Sequence, residues 1–215
     1  MTAAPRLVLA THNAGKLREL RELLRGQVPG LDVDTQVVDA AAAGAPDVVE
    51  TGVTFAENSL LKARAVAAAT GLVAIADDSG LAVDVMGGAP GIFSARWAGR
   101  HGDDQANLEL LLNQVADVPD AHRGAAFVCA AALAVPGTPE EPGREEVEYG
   151  QLEGTLLRAP RGAGGFGYDP VLQPLGGDRS CAELSAEEKN AISHRGKAFR
   201  ALLPAIISAL QEAGE

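Results

Sequence analysis

The chain has 215 residues, 47% of them hydrophobic and 22% charged, a balance that fits one large globular domain, expected over residues 1–215. Its 18 Lys and Arg against 29 Asp and Glu give a formal charge of -11, which opposes polyanions, so neither nucleic acid nor a membrane surface is an expected partner. Two distant cysteines, Cys129 and Cys181, speak against a disulfide framework or a zinc site, and no apolar run suits a leader or a spanning helix, so a reduced cytoplasmic setting is expected.

In chain order, "RLVLA" reads as a buried strand. "AGKLRELRELL" follows as a helix with Leu17, Leu20 and Leu24 on one face and Arg18 and Glu22 at i,i+4 on the other. "DAAAAGAPDVVETG" is an irregular connection, after which Thr54 caps a helix over "TFAENSLLKARAVAAAT" with Glu57 three residues on; Gly71 ends it. "LVAIA" fits a central strand, and "LAVDV" a second one with Leu81, Val83 and Val85 on one face, which puts Asp77 and Asp78 in a turn between strands. A long glycine-rich loop, "GGAPGIFSARWAGRHG", leads to a helix starting near Asp103. "GAAFVCAAALAV" is a long buried strand, returning through the tip "PGTPEEPGREE" into "VEYGQL". A second glycine-rich loop, "RGAGGFGYDP", precedes the short strand "VLQP". The chain closes on helix with a capping box at Ser185 and Glu188 and a proline, Pro204, expected to kink or interrupt it. The order of elements implies an α/β fold with a mixed twisted sheet flanked by helices.

Several stretches carry candidate chemistry. In "THNAGK" (Thr11, His12, Asn13, Ala14, Gly15, Lys16), amides at a helix N-terminus and one lysine suit phosphate oxygens, although the Walker glycine and hydroxyl are missing; the other reading is a strand-to-helix turn capped by Asn13. Glu50, Asp77 and Asp78 suit a hard cation such as Mg²⁺, because adjacent carboxylates at a buried strand end need compensating charge. Glu57 is explained by capping alone. In "FGYD" (Phe166, Gly167, Tyr168, Asp169) an aromatic could stack on a base and the carboxylate accept from a ring N–H, or the stretch is a tight turn with its aromatics in the core. Lys189, His194, Arg195 and Lys197 form a basic cluster at a helix start. The remaining histidines lack metal spacing, Trp97 packs under a loop or meets a ligand, and no nucleophile elbow or Cys–His pair appears.

Taken together, "LVLATHNAGK", "ETGVTFAENSLLKA", "AIADDSGLAVDVMGGAPGIFSARWAG", "GAGGFGYDP" and "EEKNAISHRGKA" resemble, in order and over nearly the whole chain, the inosine triphosphate pyrophosphatase family. The resemblance implies an elongated two-lobed fold around a nucleotide cleft, a homodimer, and hydrolysis of noncanonical purine nucleoside triphosphates (ITP, dITP, XTP) to monophosphate and pyrophosphate. It implies that the residues from Thr11 to Lys16 hold the triphosphate, with Asn13 and Lys16 in direct contact, and that Glu50 and Asp78 bind Mg²⁺, with Asp77 beside them. Asp78 matches the family's proton acceptor and Ser79 a substrate contact. Phe166, Gly167, Tyr168, Asp169, Lys189, His194 and Arg195 match the nucleotide and base pocket. His12 stands where many relatives carry glycine. Two alternatives are a related pyrophosphatase of different base preference and a catalytically silent nucleotide sensor; the acids at Glu50, Asp77 and Asp78 argue against the latter.

Overall fold

The computed structural model describes residues 4–11, 13–137 and 143–213. His12 and the hairpin tip at 138–142 therefore lie outside the described residues. A six-stranded open sheet runs in the order β2-β1-β3-β4-β5-β6, with β1 (Leu7–Leu9), β2 (Val37–Asp39), β3 (Val73–Val83), β4 (Gly124–Val135), β5 (Arg144–Leu156) and β6 (Leu172–Pro174). β1 pairs in parallel with β2 and β3, whereas β5 and β6 are antiparallel, so the sheet is mixed. The helices are α1 (Ala14–Leu24), α2 (Val33–Gln36), α3 (Phe55–Thr70), α4 (Asp104–Gln114), α5 (Ala186–Ile192) and α6 (His194–Glu212).

The chain divides into two compact units, Met1–Asp78 with Ala130–Tyr149 and Ala198–Glu215, and Ser79–Cys129 with Gly150–Lys197. It passes from one to the other at four places, within β3, β4, β5 and the last helix at Lys197–Ala198, and the first crossing is the Asp78–Ser79 peptide bond. The first unit has an alanine-rich core: Ala63, Val66 and Ala67 of α3 pack with Val8, Ala74, Ala76, Ala132 and Ala134 of the strands, small side chains that admit a helix close to a sheet. The second has a core of larger side chains, with Leu81, Leu108, Leu111, Phe127, Leu156, Tyr168 and Leu172 among them.

Local signals held where they rest on caps. Asn13 caps α1, whose Leu17, Leu20 and Leu24 are buried; Thr54 caps α3, and Gly71 ends it at φ +69°. The i,i+4 pair expected between Arg18 and Glu22 is replaced by one at i,i+3, between Glu22 and Arg25. Asp103 caps α4, and Ser185 and Glu188 form a capping box on α5.

Two expectations are corrected. No turn separates "LVAIA" from "LAVDV": β3 is one strand of 11 residues, and Asp77 and Asp78 lie inside it, while Val85 falls in a short 3-10 turn and is exposed. Burial of the strand and specific partners for both carboxylates outweigh the low β-propensity of Asp, Ser and Gly. Likewise, of the kink or interruption expected at Pro204, the interruption does not occur: α6 runs on through it. Ala198, Phe199, Leu202, Ala205, Ile206, Ala209 and Leu210 are all buried, and together they offset the lost hydrogen bond of one exposed proline.

Candidate active site

The acidic group belongs to the first unit. After β1 the chain turns into α1: Asn13 donates its N–H to Thr11 Oγ1 (3.1 Å), and its side-chain Oδ1 accepts from the Gly15 and Lys16 amides (2.8 and 3.3 Å). Asn13 therefore satisfies two of the N–H groups that the helix start leaves open. Lys16 reaches Asp77 and donates to both carboxylate oxygens at 2.9 Å. Asp77 is only 2% exposed, and this ammonium offsets the cost of its charge in the core.

Asp78, the next residue, accepts at Oδ2 from the Asn58 side-chain amide at 3.0 Å. Asn58 is wholly buried in α3, and its Oδ1 accepts the Gly52 N–H at 2.8 Å. One amide thus fixes both the carboxylate of Asp78 and the loop that carries Glu50. Gly52 is needed there, since a Cβ would lie 2.7 Å from Asn58 Oδ1 and from Glu57 Cβ. Glu57 accepts the Val53 N–H at 2.6 Å and donates its own N–H to Thr54 Oγ1, so it serves the helix start as expected. Lys62, one turn beyond Asn58 on α3, pairs with Glu50 at 2.5 Å. Burial pushes the Asp78 carboxyl above the usual carboxylate range; Lys62 and the Asn58 amide pull it back, while Glu50 and Asp77 push it further up.

Asn58 and Lys62 were not singled out from the sequence. A signal for them exists: an amide in the first turn of an otherwise largely apolar helix, just past the capping position where asparagine is favoured, standing at i,i+4 from a lysine.

Among the described residues no group of three or more His, Cys, Asp or Glu is gathered around a metal-sized site. Mg²⁺ does not require one, because it takes one or two carboxylates and completes its octahedron with water and phosphate oxygens. The donor set fits: Glu50, Asp77 and Asp78 bring three negative charges against two from Lys16 and Lys62, and Asp78 is destabilised as an anion by burial and by its acidic neighbours.

The second group belongs to the second unit. The glycine-rich loop closes on Asp169, which is 2% exposed and whose Oδ2 accepts the Phe166 N–H (2.8 Å) and the Lys189 ammonium (2.5 Å). Gly165, at φ +72°, admits this closure, since a Cβ would stand 2.0 Å from that same oxygen. Lys189 also lies 4.9 Å over the Phe166 ring, and Phe166 remains 62% exposed. Tyr168 differs: it is 5% exposed, packs in the core and donates its hydroxyl hydrogen to Ser94 O (2.9 Å), while burial, then Asp104, raise its pKa. Of the two aromatics, Phe166 is the one presented to solvent. Asp169 organises the loop with the oxygen that a direct reading would have aimed at a base. His194 stacks on Phe127 with ring centroids 5.1 Å apart, and Arg195 donates to Ser79 Oγ at 3.4 Å. Trp97 donates its indole N–H to Gln114 at 2.8 Å.

A sequence model described as the Ham1 family matches residues 7–205. A dITP/XTP pyrophosphatase of Streptomyces coelicolor is 68% identical, covering 94% of this chain and 96% of its own. One of Bifidobacterium animalis is 52% identical over 97% and 99% of the two chains. Among solved structures, a HAM1 protein from Coxiella burnetii matches with a TM-score of 0.83 at 40% identity, covering 95% of this chain and 99% of that one. A nucleoside-triphosphatase described as a dITP/XTP pyrophosphatase, from Mycobacterium abscessus, matches with a TM-score of 0.73 at 48% identity over 93% and 99%.

Proposed function

The chain belongs to the Ham1 family, and from that premise we propose that it hydrolyses noncanonical purine nucleoside triphosphates, dITP, XTP and ITP, to the monophosphate and pyrophosphate. The observation that carries the reading is the half-buried Asp78 carboxylate, held by Asn58 beside the two lysine-paired acids Glu50 and Asp77. Residues 1–215 act as one catalytic domain, cytoplasmic and homodimeric; among the described residues no helix is long and apolar enough to cross a membrane.

Glu50 and Asp78 would hold Mg²⁺, with Asp77 beside them. When bound, the ion supplies Lewis-acid charge on phosphate oxygens and lowers the pKa of a water. This chain's own groups do the rest. Asp78 takes the proton as water oxygen bonds to phosphorus and the bond to the pyrophosphate oxygen breaks; its raised affinity for a proton suits a general base. Asn58 keeps Oδ2 of Asp78 engaged and so fixes the direction of the carboxylate. Lys16 and Asn13 are the groups assigned to the negative charge that builds on the phosphates. Ser79, Phe166, Gly167, Tyr168, Asp169, Lys189, His194 and Arg195 form the group assigned to ribose and base. Donors there that meet a 6-keto oxygen disfavour the 6-amino group of adenine, a mismatch able to discriminate by up to about 10⁴.

Pyrophosphate release from ITP, XTP, dITP, GTP and ATP, with and without Mg²⁺, tests this directly. ITP, dITP and XTP should be hydrolysed far above ATP and GTP, and only with the metal. Asp78→Asn should abolish turnover while nucleotide binding stays measurable. Comparable kcat/KM for ATP and ITP, or an active Asp78→Asn enzyme, would overturn the assignment.

A further inference from the structure

We propose that Asp104 is a positioning residue for base recognition: its carboxylate fixes the orientation of the Phe166–Gly167 peptide and thereby the ring of Phe166. The inference rests on the assignment of this loop to the purine.

Asp103 and Asp104 stand together at the start of α4 and divide their tasks. Asp103 Oδ1 accepts the Ala106 N–H at 3.2 Å and caps the helix. Asp104 is not needed for that cap, and its Oδ2 accepts the Gly167 N–H at 2.9 Å, 63 residues away in sequence. Both residues belong to the second unit.

The geometry of that one peptide unit explains why the bond has consequences. The Phe166 carbonyl accepts the Asp169 N–H at 3.2 Å, closing a turn, and the Gly167 N–H at the other edge of the same plane goes to Asp104. Gly167 has φ +59°, and nothing lies within 4 Å of where its Cβ would be. A peptide followed by glycine can rotate at low cost, because glycine accepts either sign of φ and turns of both kinds remain open to it. The Asp104 carboxylate binds one orientation only, since the other turns a carbonyl oxygen towards it.

That orientation sets what the loop offers. The Phe166 N–H is anchored on Asp169, Lys189 lies over the Phe166 ring, and the exposed ring is free to meet a flat ligand. Next along the chain, Tyr168 is tied to Ser94, whose Oγ accepts the Leu81 N–H at 2.9 Å, two residues beyond Ser79. Asp104 therefore closes a chain of anchors around the loop and touches no reacting atom.

The test compares the wild type with Asp104→Ala and Asp104→Asn. Asp104→Ala should raise KM for ITP and dITP about tenfold, lower the preference for ITP over GTP, and leave kcat within about threefold. Asp104→Asn keeps an accepting oxygen and should stay within about threefold of wild type in both parameters. In the nucleotide-free protein, the Gly167 amide proton should shift upfield in Asp104→Ala and hold its place in Asp104→Asn. Unchanged KM with an unmoved Gly167 signal would overturn the proposal. So would Asp104→Asn as impaired as Asp104→Ala, or a uniform loss of kcat with a lowered Tm, the mark of a merely structural role. A wild type that releases no pyrophosphate from ITP would overturn the functional reading instead, and the Gly167 signal would still report whether the clamp exists.

Discussion

Asp77 and Asp78 carry the same side chain and meet opposite fates, because successive residues of a strand project to opposite faces. Asp77 meets the ammonium of Lys16 on α1, and Asp78 meets the amide of Asn58 on α3. The first is a nearly closed ion pair; the second is a half-buried carboxylate whose affinity for a proton is raised by burial and by acidic neighbours. The difference is testable through stability. Lys16→Met leaves Asp77 buried without its cation and should destabilise the nucleotide-free protein by about 3 kcal/mol. Adding Asp77→Asn should return most of that loss, because removing both charges spares the desolvation of either. Chemical denaturation of the single and double variants measures both. Failure of the double variant to recover would show that the pair is not what Lys16 contributes to the fold. Asn58 and Phe166 make the same point in other ways: a buried amide at both ends of its bonding capacity, and an aromatic left in solvent beside a buried one.

At the scale of elements, the caps were legible and the strand was not. Thr54, Asp103, Ser185 and Glu188 announce helix starts by local chemistry, which needs nothing beyond a few residues. The strand β3 reads as two because Asp, Ser and Gly interrupt its apolar pattern, and only distant partners on α1 and α3 make the interruption tolerable. The short α2 and β2 gave no pattern long enough to read. The helix α6 shows the converse, where packing overrides a strong local signal at Pro204. Since Pro204 is exposed, its replacement costs no core contact. Pro204→Ala should restore a backbone hydrogen bond and stabilise the protein by about 1–2 kcal/mol, the helix-interior penalty less the entropy proline removes from the unfolded chain. A raised Tm with unchanged kcat/KM is the expected outcome; a lowered Tm would mean that the proline is matched to its surroundings.

Over the whole molecule, the net charge of -11 opposes polyanions, so nucleic acid is not an expected partner. Charge also sets an alkaline limit. Burial raises the Cys181 thiol from 9.0 to about 11, and burial likewise raises Tyr168 above its ordinary value. A group whose folded pKa is raised contributes stability that is complete below its unfolded pKa and is lost as pH rises towards the folded one. Tm should therefore fall between pH 9 and pH 11, first through Cys181 and then through Tyr168. Cys181→Ala should flatten the lower part of that fall; an unchanged slope would place the sensitivity elsewhere. The sequence by itself determined the fold class, the starts of the longer helices and the family resemblance, because these rest on composition, short-range spacing and motif order. Only the tertiary structure decided that β3 is continuous, that Asn58 and Lys62 join the acids, that Asp169 and Tyr168 face inward while Phe166 faces out, and that Asp104 reaches Gly167. Each of these depends on which partner stands within about 3 Å of a polar atom across a long sequence separation, and burial then fixes the outcome, since a buried polar group must find its partner.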